Sequence, residues 1–305
     1  MKNEKIEGRD VAAAQPVAHP LRQGAEMSRW EPFPVRSAFA DTVEYRRFVQ
    51  VCEAARRYRS ISVCLGASGV GKTSAARHYA QWEYFEPLLW GNGVVVSPEF
   101  SSDVPMPRTA FYTPRATATP KNIEQDLAML LWGLQMIAEA AGSVVQETVP
   151  RSGRVRVEGV DLLVVDEVDR CSHISLEVLR DLFDRYPIGL VLLGRTDYAK
   201  TLLNQHPVAS RVGVLHEFCA ASKADASVFI REQVRALGLS IEESALDVCL
   251  EKTRGNLSKI YLILTHLDSL ARRDGPFTVT RDDIEEAQAR LLTEKNVHAL
   301  QERNR

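Results

Sequence analysis

The run Gly66-Ala67-Ser68-Gly69-Val70-Gly71-Lys72-Thr73 narrows what this chain can fold into more than any other feature of it. Directly upstream, Ile61-Ser62-Val63-Cys64-Leu65 reads as a buried strand, and from Lys72 to about Tyr84 the pattern reads as a helix. A glycine-rich loop between a strand and a helix turns backbone N–H groups inward, around an anion at the helix N-terminus. Lys72 brings a point charge to the β- and γ-phosphates, and the Thr73 hydroxyl is a hard oxygen ligand for magnesium. The expected ligands are ATP and Mg2+, with Gly66, Ala67, Ser68, Gly69, Val70, Gly71, Lys72 and Thr73 around the phosphates.

Such a loop works with an acidic partner at the end of a neighbouring strand. Leu162-Leu163-Val164-Val165-Asp166-Glu167 supplies one. Its unbroken apolar run fits a strand covered on both faces of a parallel sheet. Asp166 is the expected second metal ligand, and Glu167 the residue that orients the attacking water. Thr109 to Thr113, Gly189 to Leu193 and Gly213 to Glu217 read as further strands. Helical stretches from Asp41 to Arg59, Lys121 to Ala141 and about Ser175 to Arg185 alternate with them. Alternation of this kind predicts an α/β fold with helices on both faces of a parallel sheet.

After about Phe218 the strand pattern stops, and three or four helices fill 221 to 295, one of them Leu257 to Arg273. The expected organisation is an extended arm over 1–40, a P-loop α/β domain over 41–219, a helical domain over 220–295 and a tail over 296–305. The arm carries Pro16, Pro20, Pro32 and Pro34, which remove backbone donors, while Trp30, Phe33 and Phe39 predict docking of its last part. Residues 86 to 108 read as turn-rich, with a short hairpin around Val94-Val95-Val96.

Composition excludes several function classes. Five scattered cysteines with no CxxC pair give no support to a zinc or thiol-redox site. No apolar run reaches the roughly 18 residues of a membrane helix, and Met1 to Lys5 lead into no signal-peptide core, so a cytoplasmic protein without membrane contact is expected. A net charge of −2 confines any nucleic-acid contact to a local patch. Candidates for it are Arg115 and Lys121 around the loop after the second strand, and Arg151, Arg154 and Arg156 before the third. Two more residues are candidates for the reaction: Thr196, just past the fourth strand, to sense the γ-phosphate, and Arg211, to reach a neighbouring subunit as an arginine finger.

Together these motifs resemble the AAA+ ATPases, and among them the DNA-transposition regulators of the TniB, TnsC and MuB kind. The resemblance spans about 40 to 290. It rests on the Walker A run 66–73, the Walker B run Asp166-Glu167-Val168-Asp169-Arg170, Leu192-Leu193-Gly194, Ser210-Arg211, and Thr253-Arg254-Gly255-Asn256-Leu257-Ser258-Lys259. It implies a five-stranded sheet ordered 5-1-4-3-2, a small C-terminal helical lid, and nucleotide bound between subunits. It further implies ATP-dependent rings or filaments on duplex DNA, of non-specific sequence, that recruit a transposase under a target-selection protein. The lid motif of the family continues Gly-Asn-x-Arg, the arginine touching the γ-phosphate; here Ser258 stands in that place and Lys259, the cationic candidate for the role, follows. Alternatives of similar layout are a helicase loader, a remodelling ATPase of the ExeA type, or a scaffold that works as a nucleotide switch.

Overall fold

In a computed structural model of the chain, the described residues are 39–90, 105–141, 159–203 and 206–290, all within the compact unit Ser37–Arg305. Most of the expected arm, the Val94-Val95-Val96 hairpin, Arg151, Arg154 and Arg156, and the tail lie outside them.

The chain enters through helix α1, Val43–Tyr58, whose N-cap Thr42 accepts a bond from the Tyr45 N–H. Phe48, Val51, Cys52 and Ala55 recur at helical spacing and are the buried face of this helix. Strand β1, Ile61–Gly66, is buried at all six positions and runs into the phosphate loop. Helix α2, Lys72–Tyr79, follows the loop and ends five residues short of the expected Tyr84 or so. Gln81, at φ 50°, breaks the path, and a separate helix α3, Trp82–Trp90, begins. The turn-rich expectation fails here because Pro87 lies inside α3. Trp82 and Phe85 are buried, at 3% and 1% exposure. Burial of two such side chains at roughly 1.5–3 kcal/mol each offsets the roughly 3 kcal/mol that an interior proline costs.

Strand β2, Thr109–Tyr112, leads to helix α4, Pro120–Ala140, which opens with a capping box between Thr119 and Asn122 and a proline in its first turn. Strand β3, Leu162–Val165, helix α5, His173–Arg185, and strand β4, Gly189–Gly194, follow. Two short helices, α6, Ala199–Leu203, and α7, His206–Ala209, precede strand β5, Val212–Phe218. The sheet order is β2-β3-β4-β1-β5 with every pair parallel, the order that the family resemblance implies. Since all strands point the same way, the loops after β1, β2, β3 and β4 gather at one edge of the sheet, where open α/β sheets bind ligands.

A second apolar core begins at Ala221. It is built by α8, Lys223–Ala236, α9, Glu243–Thr253, α10, Leu257–Asp274, and α11, Arg281–Arg290. This part is not purely helical. β6, Ser240–Ile241, pairs in parallel with β7, Thr278–Val279. Two-residue strands leave no periodicity for a sequence reading to find.

Candidate nucleotide site

The phosphate loop is shaped by glycine where it must be. Gly69 and Gly71 sit at φ 81° and 103°. A Cβ on Gly69 would lie 2.4 Å from Asn256 Oδ1, and one on Gly71 would lie 2.8 Å from Leu257 Cδ1. Both glycines are thus required by backbone sign, and Gly69 also by the nearness of the Asn256 amide, which two hydrogen bonds hold in place; at Gly71 the Leu257 tip can give way. Within the loop the Lys72 ammonium donates to the Gly66 and Ala67 carbonyls at 2.7 and 2.8 Å. Burial lowers the Lys72 pKa below the ordinary lysine value; Arg195 adds to this shift, and Asp166, Asp169 and Glu167 oppose it.

Asp166 is 2% exposed and fixed on three sides. Its N–H donates to the Tyr112 carbonyl at 2.8 Å, its Oδ1 accepts from the Glu167 N–H at 2.9 Å, and its Oδ2 accepts from the Thr73 hydroxyl at 2.6 Å. A hydroxyl and a buried carboxylate in direct contact are the two hard oxygen donors that magnesium takes beside nucleotide phosphates. Among the described residues no group of three or more His, Cys, Asp and Glu could hold a metal by itself. Magnesium held through one or two protein oxygens, water and phosphate requires no such group. The residues therefore fit MgATP: Thr73 and Asp166 would hold the ion, which when bound neutralises charge on the phosphates.

Glu167 has a left-handed backbone, φ 49° and ψ 44°, which lifts its side chain out of the strand's alternation. Its carboxylate pairs with Arg170, which also donates to the Pro114 carbonyl at 3.1 Å, in the loop after β2. Glu167 is one of the residues that line a cleft of about 1240 Å3 between the sheet edge and the lid. Lys72, Thr73, Asp166 and Thr196 line it too. One wall is aromatic: Phe39 stacks on His78 with centroids 3.6 Å apart and planes 2° from parallel, and Tyr45 meets both edge-on. Burial lowers the His78 pKa, against the opposing pull of Glu83 and Asp41.

Several features of the cleft escape a sequence reading. Arg195, adjacent to the expected Thr196, lines it and pairs with Asp197 at 2.8 Å. On the lid side Leu257, Ser258, Tyr261 and Leu262 line it, whereas Lys259 is exposed and outside the lining. Its position just past a helix N-cap turns its backbone N–H to Asn256 Oδ1 at 3.1 Å. Arg211 lies outside the lining as well. It holds Asp184 through two bonds, Nε to Oδ1 at 2.9 Å and Nη2 to Oδ2 at 3.0 Å. Arg115 pairs with Asp126 at 3.0 Å, Tyr112 donates to the same carboxylate at 3.2 Å, and Lys121 is exposed in the first turn of α4.

The Arg211–Asp184 pair is about a third exposed on both sides, so it is worth no more than roughly 1 kcal/mol to folding. Arg211→Ala is accordingly expected to shift the urea midpoint only slightly. If the arginine serves a neighbour's nucleotide, the variant binds ATP normally and turns over slowly. Mixing it with Lys72→Ala then restores activity, because one subunit brings the intact pocket and the other the intact arginine. Mixed oligomers that form without recovery would remove Arg211 from the reaction.

Comparison with known proteins agrees with this geometry. The family described as "AAA domain" matches residues 55–203. A "Potential ATP-binding protein" of Staphylococcus aureus is 26% identical over 266 residues, 83% of this chain and 96% of the relative. The Mu-like prophage FluMu DNA transposition protein B of Haemophilus influenzae is 27% identical over 254 residues, 81% of this chain and 77% of that one. Among solved structures, the Thermotoga maritima RuvB Holliday junction branch migration motor superposes with a TM-score of 0.52 at 14% identity, covering 83% of this chain and 70% of its own. The Aeropyrum pernix ORC1 protein in complex with DNA gives 0.53 at 15% identity, covering 85% and 67%. The fold is that of the AAA+ P-loop ATPases, and the AAA domain makes this chain an ATP-binding and ATP-hydrolysing enzyme.

Proposed function

We propose that this AAA+ ATPase assembles with ATP on duplex DNA as a loading or remodelling protein, and more narrowly that it serves DNA transposition. The broader reading draws on the fold shared with a branch-migration motor and with an ORC1 protein bound to DNA. One observation carries the narrower reading. The likeness to a DNA transposition protein B runs over 254 residues, which is more than the AAA domain at 55–203 and must take in part of the lid as well. In this role Gly66 to Thr73 and Asp166 hold MgATP, Glu167 orients the attacking water, and Thr196 and Arg195 face the γ-phosphate from the end of β4. Lys259 then serves the assembled form, or its role passes to Ser258. Hydrolysis releases the assembly, and a transposase and a target-selection protein are its partners.

DNA contact in this reading is made by exposed cations at the carboxyl edge of the sheet, of which Arg115 and Lys121 are described. With a net charge of −2, one subunit binds weakly. Assembly repeats the same few contacts along the duplex, and avidity does the rest. Binding is expected to require ATP, to ignore base sequence and to fall steeply with salt, because phosphate contacts release counterions. Replacing Arg115 and Lys121 with alanine should weaken it equally on all sequences and flatten the salt slope by about one per cation removed. Fluorescence anisotropy with a non-hydrolysable ATP analogue, over a salt series and several unrelated duplexes, measures this. Tight nucleotide-free binding to one defined sequence would point to a conventional sequence reader, and no binding at low salt to a remodelling ATPase that does not act on DNA.

A further inference from the structure

We propose that Asn256 is a positioning residue for nucleotide binding: through its side-chain amide the lid holds the phosphate loop in its anion-binding shape. This rests on ATP binding at that loop and is independent of DNA. Asn256 does two things at once. Its Oδ1 caps α10 by accepting the Lys259 N–H at 3.1 Å, and its Nδ2 donates across to the Ser68 carbonyl at 2.9 Å. Two residues on, the Ser258 N–H donates to the Gly69 carbonyl at 3.1 Å. The other side of the same turn is anchored where the chain enters the lid, by the Ala221 N–H to the Gly255 carbonyl at 3.0 Å.

Two successive peptide planes of the loop are therefore held from the lid by their oxygens. In a trans peptide the carbonyl and the following N–H point in opposite directions. With the Ser68 and Gly69 carbonyls held toward the lid, the N–H groups of Gly69 and Val70 turn the other way, as an anion cradle requires. Asn256 also fills the space that a side chain on Gly69 would occupy, so it is packed against the loop as well as bonded to it. A glycine-rich loop has more conformational freedom to lose than any other segment. Holding it before the nucleotide arrives removes that cost from binding. Ser258 stands in this chain where the family's lid motif has arginine, and its own N–H is one of the lid's bonds to the loop. A force that lifts the lid slackens the cradle.

Substitution can separate the two bonds. Asn256→Ser keeps the helix cap, since serine and asparagine cap about equally, but is too short to reach the Ser68 carbonyl. The melting temperature should stay within about 2 °C of the parent. The Kd for a fluorescent ATP analogue with magnesium should rise about five- to ten-fold, the loss of one hydrogen bond. Asn256→Asp also keeps the cap, yet sets a carboxylate against that carbonyl, and should bind nucleotide more weakly still. In the nucleotide-free variants, amide exchange should quicken over 66–73 and not over α10. Unchanged affinity and unchanged loop exchange in Asn256→Ser would overturn the proposal. So would a fall in affinity accompanied by melting and faster exchange throughout the lid, which would make Asn256 a cap and nothing more. Failure of the parent protein to bind the analogue would remove the nucleotide site itself, and this proposal with it.

Discussion

Lys72→Ala is expected to abolish ATP turnover while leaving the chain folded. The ammonium makes its bonds to the Gly66 and Ala67 carbonyls inside the loop and none to the apolar core. Its pKa is lowered by burial, so its charged form is less favourable in the folded chain than in the unfolded one. The charge is kept at a cost to stability, which is the pattern of a group held for a ligand rather than for the fold. Removing one preorganised electrostatic donor lowers turnover by roughly 10²–10³, and the loss of ATP affinity adds to it. Phosphate release and equilibrium binding measure the function, and urea unfolding the fold. Normal turnover by a folded Lys72→Ala variant would end the assignment of the loop.

Glu167→Gln separates binding from chemistry. The amide keeps the size of the side chain and the left-handed backbone that presents it, but it cannot draw a proton from water. Asp166 and Thr73 remain in contact and retain their oxygens. Turnover is expected to fall by roughly 10²–10⁴, the contribution of a positioned general base, with ATP affinity within a few-fold of the parent. Because hydrolysis releases the assembly in the proposed cycle, the variant should accumulate as an ATP-bound oligomer that persists during size-exclusion chromatography. A variant that fails to bind ATP would contradict the role of Glu167. So would one that hydrolyses ATP at the parental rate.

Much of the site is legible in the sequence because its chemistry is local. Eight consecutive residues make the phosphate loop, and one apolar strand delivers Asp166 and Glu167 together. The sheet order follows once the strands are recognised and the resemblance supplies their arrangement. What stays hidden is made by residues far apart in the chain. Asn256 meets Ser68 across 188 positions, and Arg211 meets Asp184 across 27. No spacing rule announces either. Helix α3 is hidden for a different reason: Pro87 argues against it locally, and only the burial of Trp82 and Phe85 in the finished core explains it. Arg195 shows the limit of motif reading at single-residue scale. The polar run after β4 is plain in the sequence, but only the fold shows that Arg195, Thr196 and Asp197 all line the cleft.

The most direct test of the account is the rate of phosphate release by the intact chain with and without duplex DNA of unrelated sequences, at low and at physiological salt. Duplex should raise the rate, by the same factor for each sequence and less at higher salt, and the increase should vanish in Lys72→Ala. ATP hydrolysis that no duplex alters at any salt concentration would contradict the proposed action on DNA, and would leave a P-loop ATPase whose work lies elsewhere.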